Sequence, residues 1–399
     1  MLFSTRSRSP LVPLLLIVAL VLPAITGFGV QSVTAKGKDV QVTVADYDLI
    51  GTLNIPTGTQ FEDTEIGGLS SITYDPRRNV YYAISDDQGT IDPVRYYTLS
   101  INVSDGQFDP GDITFRDVTT ILDTSGEPYT PSSLDPEGLV FTRRGSLYFT
   151  SEGLPLLSPP VDPFIKRINQ RGHETRSLDI PDKFLPDGTG SQGVRPNLGF
   201  ESLNITPDRH ALVTASEGAL AQDGPAANLD QESFARILKY RLSSGRPVSE
   251  YVYIVNPVAE VPDPADAFRV NGLVELLPLD NAGTMLALER SFSVGAEGGG
   301  NTIWLYEIST RGATDVSGEF SLFPNGTSQP PIDFEPVTKR LILNVEEDLG
   351  IEPDNIEGMA FGPALPDGRL PLILVSDNNF LATQTTQFIV LAVELEQVD

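Results

Sequence analysis

Apolar and polar positions alternate in short runs along this chain, and no long stretch shows the 3.6-residue period of a helix. Val40–Val44 and Tyr47–Ile55 alternate as strands. Tyr96–Val103, Ile113–Thr119, Phe234–Tyr240, Glu250–Ile254, Thr302–Ile308, Arg340–Val345 and the C-terminal Gln387–Leu395 read the same way. Helix is expected only as short pieces, at Pro262–Phe268 and at Phe334–Leu343, where the second half competes with a strand. The stretches 123–136, 154–163, 184–197 and 223–232 are rich in Pro, Gly, Asp and Ser and mark loops between strands.

Within this pattern one cassette recurs: a Glu-Gly-Leu-like start, a strand, a turn, a second strand, then Ser-Asp or Ser-Glu. Its copies are Gly67–Asp87, Glu137–Gly153, Glu201–Gly218, Asn271–Ser291 and Glu357–Asn378. Short strands in repeated units predict an all-β fold, and a β-propeller buries such repeats while leaving few exposed edges. The cassettes recur every 65–85 residues or so, more than the ~40–50 residues of one four-stranded blade. Five cassettes plus one degenerate blade predict six blades, with five or seven as alternatives. The first and last strands are expected to share a blade and close the ring.

The cassette also places its polar ends. Its two strands run antiparallel through a turn, so the start of one lies beside the end of the other. The openers Gly67, Glu137, Glu201, Asn271 and Glu357 should therefore meet the closers Asp86, Glu152, Glu217, Arg290 and Asp377 at one mouth of the central channel. Asp87, Asp135, Glu289, Asn355 and Asn378 stand next to them. Carboxylates held this close cannot all ionise unless a cation neutralises them. Ca2+ suits such a set, because it takes hard oxygen ligands from Asp, Glu and Asn. The expected metal ligands are Asp86, Glu137, Glu152, Glu201, Glu217, Glu357 and Asp377. Glu137, Glu201, Glu357 and Arg290 are the candidate catalytic groups. Arg195, Asn197, Asn271 and Arg290 are candidates for holding an anionic substrate. The fourth copy, with Asn271 and Arg290, departs most from the acidic series and is where a substrate-facing position is expected first.

Composition narrows the chemistry. The chain of 399 residues carries a net charge of −27, which argues against nucleic acid and favours metal cations. There is no cysteine, which excludes thiolate zinc sites and a cysteine nucleophile. The two histidines, His173 and His210, fall in loop and turn contexts. No Gly-x-Ser-x-Gly elbow and no P-loop occur. Arg6 and Arg8 followed by the apolar Leu11–Leu22 and small residues read as a secretory signal over residues 1–35. An exported single domain over 36–399 is expected, without a membrane span after cleavage, and as a monomer. An uncleaved N-terminal anchor is the rival reading.

The order and spacing of several segments resemble a known family, the phytase-like domain proteins described as "esterase-like activity of phytase". They are IGGLSSITYDP with YYAISDD, DPEGLVF with LYFTSEG, RPNLGFESLNITPD with ASEGALAQDGP, MLALERSF, and DNIEGMAFGPALPDGR with LVSDNNF. The resemblance spans nearly everything from Asp46 to Leu395. It implies an exported propeller-like domain acting on a small phosphate ester or other anionic substrate. Calcium-assisted phosphomonoester hydrolysis is the leading expectation. A non-catalytic ligand- or metal-binding propeller and a metal-dependent carboxylester or lactone hydrolase are the alternatives.

Overall fold

In the computed structural model the described residues are Met1 and 40–398, apart from 144, 328 and 330; Met1 aside, the signal expected over 1–35 lies outside them. Five four-stranded antiparallel sheets account for nearly all regular structure. The first blade is Leu69–Asp75, Val80–Ser85, Arg95–Ile101 and Ile113–Thr120, from inner to outer strand. The second is Pro136–Phe141, Ser146–Ser151, Phe164–Asn169 and Glu174–Ser177. The third is Asn204–Ile205, Ala211–Ala219, Ser233–Arg241 and Arg246–Val255, and the fourth Arg269–Pro278, Thr284–Ser293, Asn301–Ser309 and Thr338–Asn344. The fifth takes three strands from the C-terminus, Asn355–Phe361, Leu370–Asp377 and Thr385–Val398, and its outermost strand, Gln41–Pro56, from the N-terminal side.

The shared fifth blade is the closure expected from the terminal alternation. Gln41 pairs with Val398 at one end of the seam and Pro56 with Thr385 at the other. The best count of six gives way to five, which the spacing had left open. The extra residues between cassettes lie in long connections, such as 178–203 and 310–337, and form no further blade. Helix is scarce, as expected, but placed differently. Pro262–Phe268 forms turns, Thr338–Asn344 is strand, and the α-helix follows at Val345–Leu349, where the Asn344 side chain accepts from the N–H groups of Glu346 and Glu347.

The alternation that predicts strands also explains why they stay together. Each blade buries an apolar face against the next, giving one core per interface. Leu69 and Tyr97 pack with Ile373 and Val390, Ile84 and Tyr96 with Leu139 and Phe149, and Tyr148 and Ile165 with Leu212 and Leu238. Ile237 and Tyr253 pack with Leu276 and Ala287, and Leu288 and Leu305 with Leu374 and Ile389. Around the axis the inner strands also bond to one another. Ser70 Oγ donates to the Glu137 carbonyl at 3.0 Å and Phe141 N–H to Thr73 Oγ1 at 3.1 Å. Ser71 Oγ reaches across from the first blade to Glu275 Oε2 of the fourth at 3.2 Å. Burial holds the Glu275 carboxyl well above the usual range, only partly offset by the Leu276 N–H and the Ser71 hydroxyl.

Candidate functional site

The site is built where the cassettes begin and end. In the fifth blade Asn355 pairs with Asp377 and Ile356 with Ser376; in the fourth, Gly272 pairs with Arg290. Openers and closers thus share one end of each hairpin. The pairing has a further feature. In the second and fifth blades the register slips between Pro136 and Leu139 and between Ile356 and Gly358. These bulges contain Glu137 and Glu357. A bulge adds a residue to one strand and redirects its side chain, and here both Glu side chains line the axial cavity.

That cavity measures about 480 Å3. Nine carboxylates line it: Asp86, Asp87, Asp135, Glu137, Glu152, Glu201, Glu217, Glu357 and Asp377. Among the described residues Arg290 is the one cation in the lining, and Asn197 and Asn355 add amides. Carboxylate oxygens of Asp135, Glu137 and Glu152 lie within 4.8 Å of one another, as do those of Glu152, Glu201 and Glu217. Glu152 belongs to both groups. Its Oε1 accepts the Gly199 N–H at 2.8 Å, and Glu201 is placed to share hydrogen bonds with both Glu152 and Glu217. Arg290 donates to Glu357 Oε1 at 3.1 Å and to Glu217 Oε1 at 3.4 Å. Asn355 bridges Glu357 Oε1 at 3.0 Å and Asp377 Oδ2 at 3.1 Å, and Asp377 Oδ1 accepts the Asn379 N–H at 2.6 Å.

So much like charge in little water raises the carboxyl pKa values. Burial and then its neighbours Asp377, Glu357 and Asp135 hold Asp86 well above the usual range. Burial followed by adjacent carboxylates does the same to Glu137 and Glu201. Burial pushes Asp135 up to about 6 and Asp377, beside Glu357, up to about 8. Glu152, Glu217 and Glu357 are also raised by burial, to about 7, with Arg290 restraining the rise. Burial alone would lower the Arg290 pKa, but Glu217 and Glu357 reverse this and raise it. Asp87 differs from its neighbours. Burial opposes its charge, but the Asp92 N–H, the Arg95 guanidinium at 2.8 Å and the N–H groups of Ile91 and Thr90 hold its carboxyl below the usual value.

The donor set fits a hard divalent cation. Every ligand is a carboxylate or amide oxygen, and Asp86 Oδ1 is buried without a hydrogen-bond partner. Two glycines make room for the acids. A Cβ on Gly68, whose φ is +62°, would lie 2.0 Å from Asp86 Oδ1, and one on Gly272 would lie 2.1 Å from Glu217 Oε1. Gly272→Ala is therefore expected to push Glu217 off Arg290. Denaturant unfolding should show a loss of about 1–3 kcal/mol.

All seven carboxylates expected as metal ligands line the cavity, together with Arg290 and Asn197. Two expected substrate contacts do not. The Arg195 guanidinium is spent on the carbonyls of Ala219, Ala221 and Gly224, at 3.1, 3.3 and 2.7 Å. Asn271 donates to the carbonyls of Asn256 and Pro257 and to Glu289 Oε2. The reason is register. In the fourth blade the slip falls between Leu273 and Glu275, beyond the opener, so Asn271 is paired regularly with Ser291 and turns to the face opposite Arg290. Arg236, a further arginine near the acidic segments, is buried and pairs with Asp223 and Glu250. His173 and His210 are exposed and line no part of the cavity. Sequence reasoning missed the apolar part of the lining, Ile91, Phe268, Val270, Phe292, Phe380 and Leu381, since Val270 and Phe292 flank the fourth cassette on its own strands and the others lie in loops outside the repeat.

Residues 64–380 match the family model described as Phytase-like, esterase-like activity of phytase. The chain belongs to this family. The phytase-like match runs from just before the first blade to just past the Asp377 closer, so it includes every acid of the cavity lining. No curated protein matches the chain. Among solved structures, one titled "Structure of Dos1 propeller" is similar at 7% identity and a TM-score of 0.33, covering 81% of this chain and 67% of that one. Among the described residues, no helix is long and apolar enough to cross a membrane.

Proposed function

We propose that this phytase-like chain is an exported phosphomonoesterase that works with calcium at the acidic mouth of the propeller. The observation that carries the reading is the lining itself: nine carboxylates, one guanidinium and an unpartnered buried carboxylate oxygen on Asp86. Asp135, Glu137 and Glu152 would hold one cation, and Glu152, Glu201 and Glu217 a second or the same one shifted. Asp86, Glu357 and Asp377 complete the hard-oxygen wall. A bound divalent cation supplies Lewis acidity toward a phosphoryl oxygen and makes a bound water more acidic.

The chain's own groups have separable tasks. Among the described residues Arg290 offers the only positive charge in the lining and would hold anionic oxygen, while Glu217 and Glu357 keep it oriented. Burial and neighbouring carboxylates hold the Glu137 and Glu201 carboxyls well above their usual range, and burial pushes Glu357 up to about 7, a direction that suits proton transfer to and from oxygen. Asn197 lies on the wall where the substrate would enter.

The test is metal analysis of the purified protein joined to a phosphate-release assay with 4-nitrophenyl phosphate. Activity should require calcium, vanish in EGTA and return when calcium is restored. No phosphate release with calcium present, from mildly acidic to mildly basic pH, overturns the reading. Release of acid from esters or lactones in place of phosphate would move the chain to carboxylester chemistry at the same wall.

A further inference from the structure

The cavity has a second character at its mouth. Phe268, Ile91 and Leu381 line it while remaining 64%, 50% and 53% exposed. Scattered exposed apolar residues need no explanation, but several gathered at one opening mark a binding surface. These are held in place. Phe268 packs at a tilt against Phe292 with ring centroids 6.3 Å apart, and Val270 pairs with Phe292 in the sheet. The Val294 N–H fixes the Phe268 carbonyl at 3.0 Å, and Arg269, next in sequence, is anchored on Asn228 Oδ1 at 2.7 Å. On another side Phe380 packs over the Arg95 guanidinium at 5.9 Å, with its N–H bonded to Asn378 Oδ1 at 3.1 Å. The lip is formed before any ligand arrives.

Resting on the phosphoesterase reading, we infer that the preferred substrate is a singly phosphorylated ester whose leaving group is aromatic or branched apolar, and that Phe268 is a specificity-determining residue. Charge complementarity argues for this occupant over a polyphosphorylated polyol. Each phosphate brings about −1.5 to −2 charges, and among the described residues the wall offers Arg290 and no Lys or His to receive more than one. Additional phosphates would meet carboxylates. An apolar leaving group adds no charge, covers Phe268, Leu381 and Ile91, and leaves the acidic floor to the single phosphate.

The experiment uses the mature protein with calcium and two non-hydrolysable probes, phenylphosphonate and methylphosphonate, followed by calorimetry. Phenylphosphonate should bind at least about tenfold more tightly, the scale of burying one aromatic face. Phe268→Ala should bring the ratio close to one, while Phe320→Ala, exposed and outside the lining, leaves it unchanged. Phenyl phosphate should also be hydrolysed with a higher kcat/KM than inositol hexakisphosphate. Phosphonate binding with no preference for the phenyl group, a preference that survives Phe268→Ala, or faster turnover of the hexakisphosphate overturns this inference alone. If neither phosphonate binds and no phosphate ester is hydrolysed, the phosphoesterase reading fails and this inference fails with it.

Discussion

Replacing Glu152 with Gln is expected to lower kcat/KM for a phosphate monoester by about 10³-fold, the scale of losing one preorganised charged group. Glu152 is the one acid common to both close carboxylate groups. Its removal therefore disrupts either arrangement of a bound cation. Gln keeps the shape of Glu and its amide oxygen can still accept the Gly199 N–H, so the fold should persist. The control is Glu275→Gln. That acid is buried on the same inner-strand set but does not line the cavity, and its carboxyl is already driven toward the neutral form. Its activity should stay within about twofold of wild type, as for a change that removes no interaction with the transition state. The measurement is steady-state kinetics with circular dichroism on both variants. Full activity in Glu152→Gln would remove Glu152 from the chemistry.

The second large effect is a dependence of stability on pH that calcium reverses. Unfolded Asp and Glu titrate near pH 4. In the folded chain Asp135 titrates near 6, Glu152, Glu217 and Glu357 near 7, and Asp377 near 8. Between these limits the native state binds more protons than the unfolded state, so stability must fall as pH rises. The contribution of these groups is full below about pH 4 and lost through about pH 8. Without calcium, Tm should therefore be lower at about pH 8 than at about pH 5.5, apart from the ordinary acid titration of the surface. On the calcium reading proposed above, the ion would compete with these protons, so its benefit would run the other way. At about 100-fold over its Kd it should add about 2.7 kcal/mol, or about 3–4 °C in Tm for a chain of this size, with a smaller gain at the lower pH. A Tm without calcium that is flat or rising across this window, measured in chelator-treated buffer, would show that the acids do not repel one another as described.

Much of this site was legible because hairpin pairing is a strong rule. Knowing only that Glu137 opens a cassette and Glu152 closes it is enough to put them at one end of one blade. The acids Asp135 and Asn355's partner Asp377 were visible on the same ground. Less legible were positions whose side-chain direction depends on a single inserted residue. Glu357 turns inward on a bulge, while Asn271, aligned with it in sequence, is regularly paired and turns away. A period of two makes one residue of slip decisive, and the repeat carries no mark of where the slip falls. Arg195 was out of reach for a related reason: three carbonyls brought together by a loop claim its guanidinium. The blade count was overestimated because connection length was read as hidden strand, whereas the long connections are anchored by single groups such as Lys183 on Glu250 and the Ser317 and Glu319 carbonyls.

The seam of the fifth blade has a consequence for when the chemistry comes into being. Thr385 Oγ1 bonds the Ile55 carbonyl across 330 positions of sequence, and Glu357 and Asp377 are contributed by the blade that this seam completes. The close acid groups of the second and third blades do not depend on this seam; pairing the two ends is what adds Glu357 and Asp377 beside Asp86. Ring closure is thus the step that completes the acidic wall and adds its last two charges.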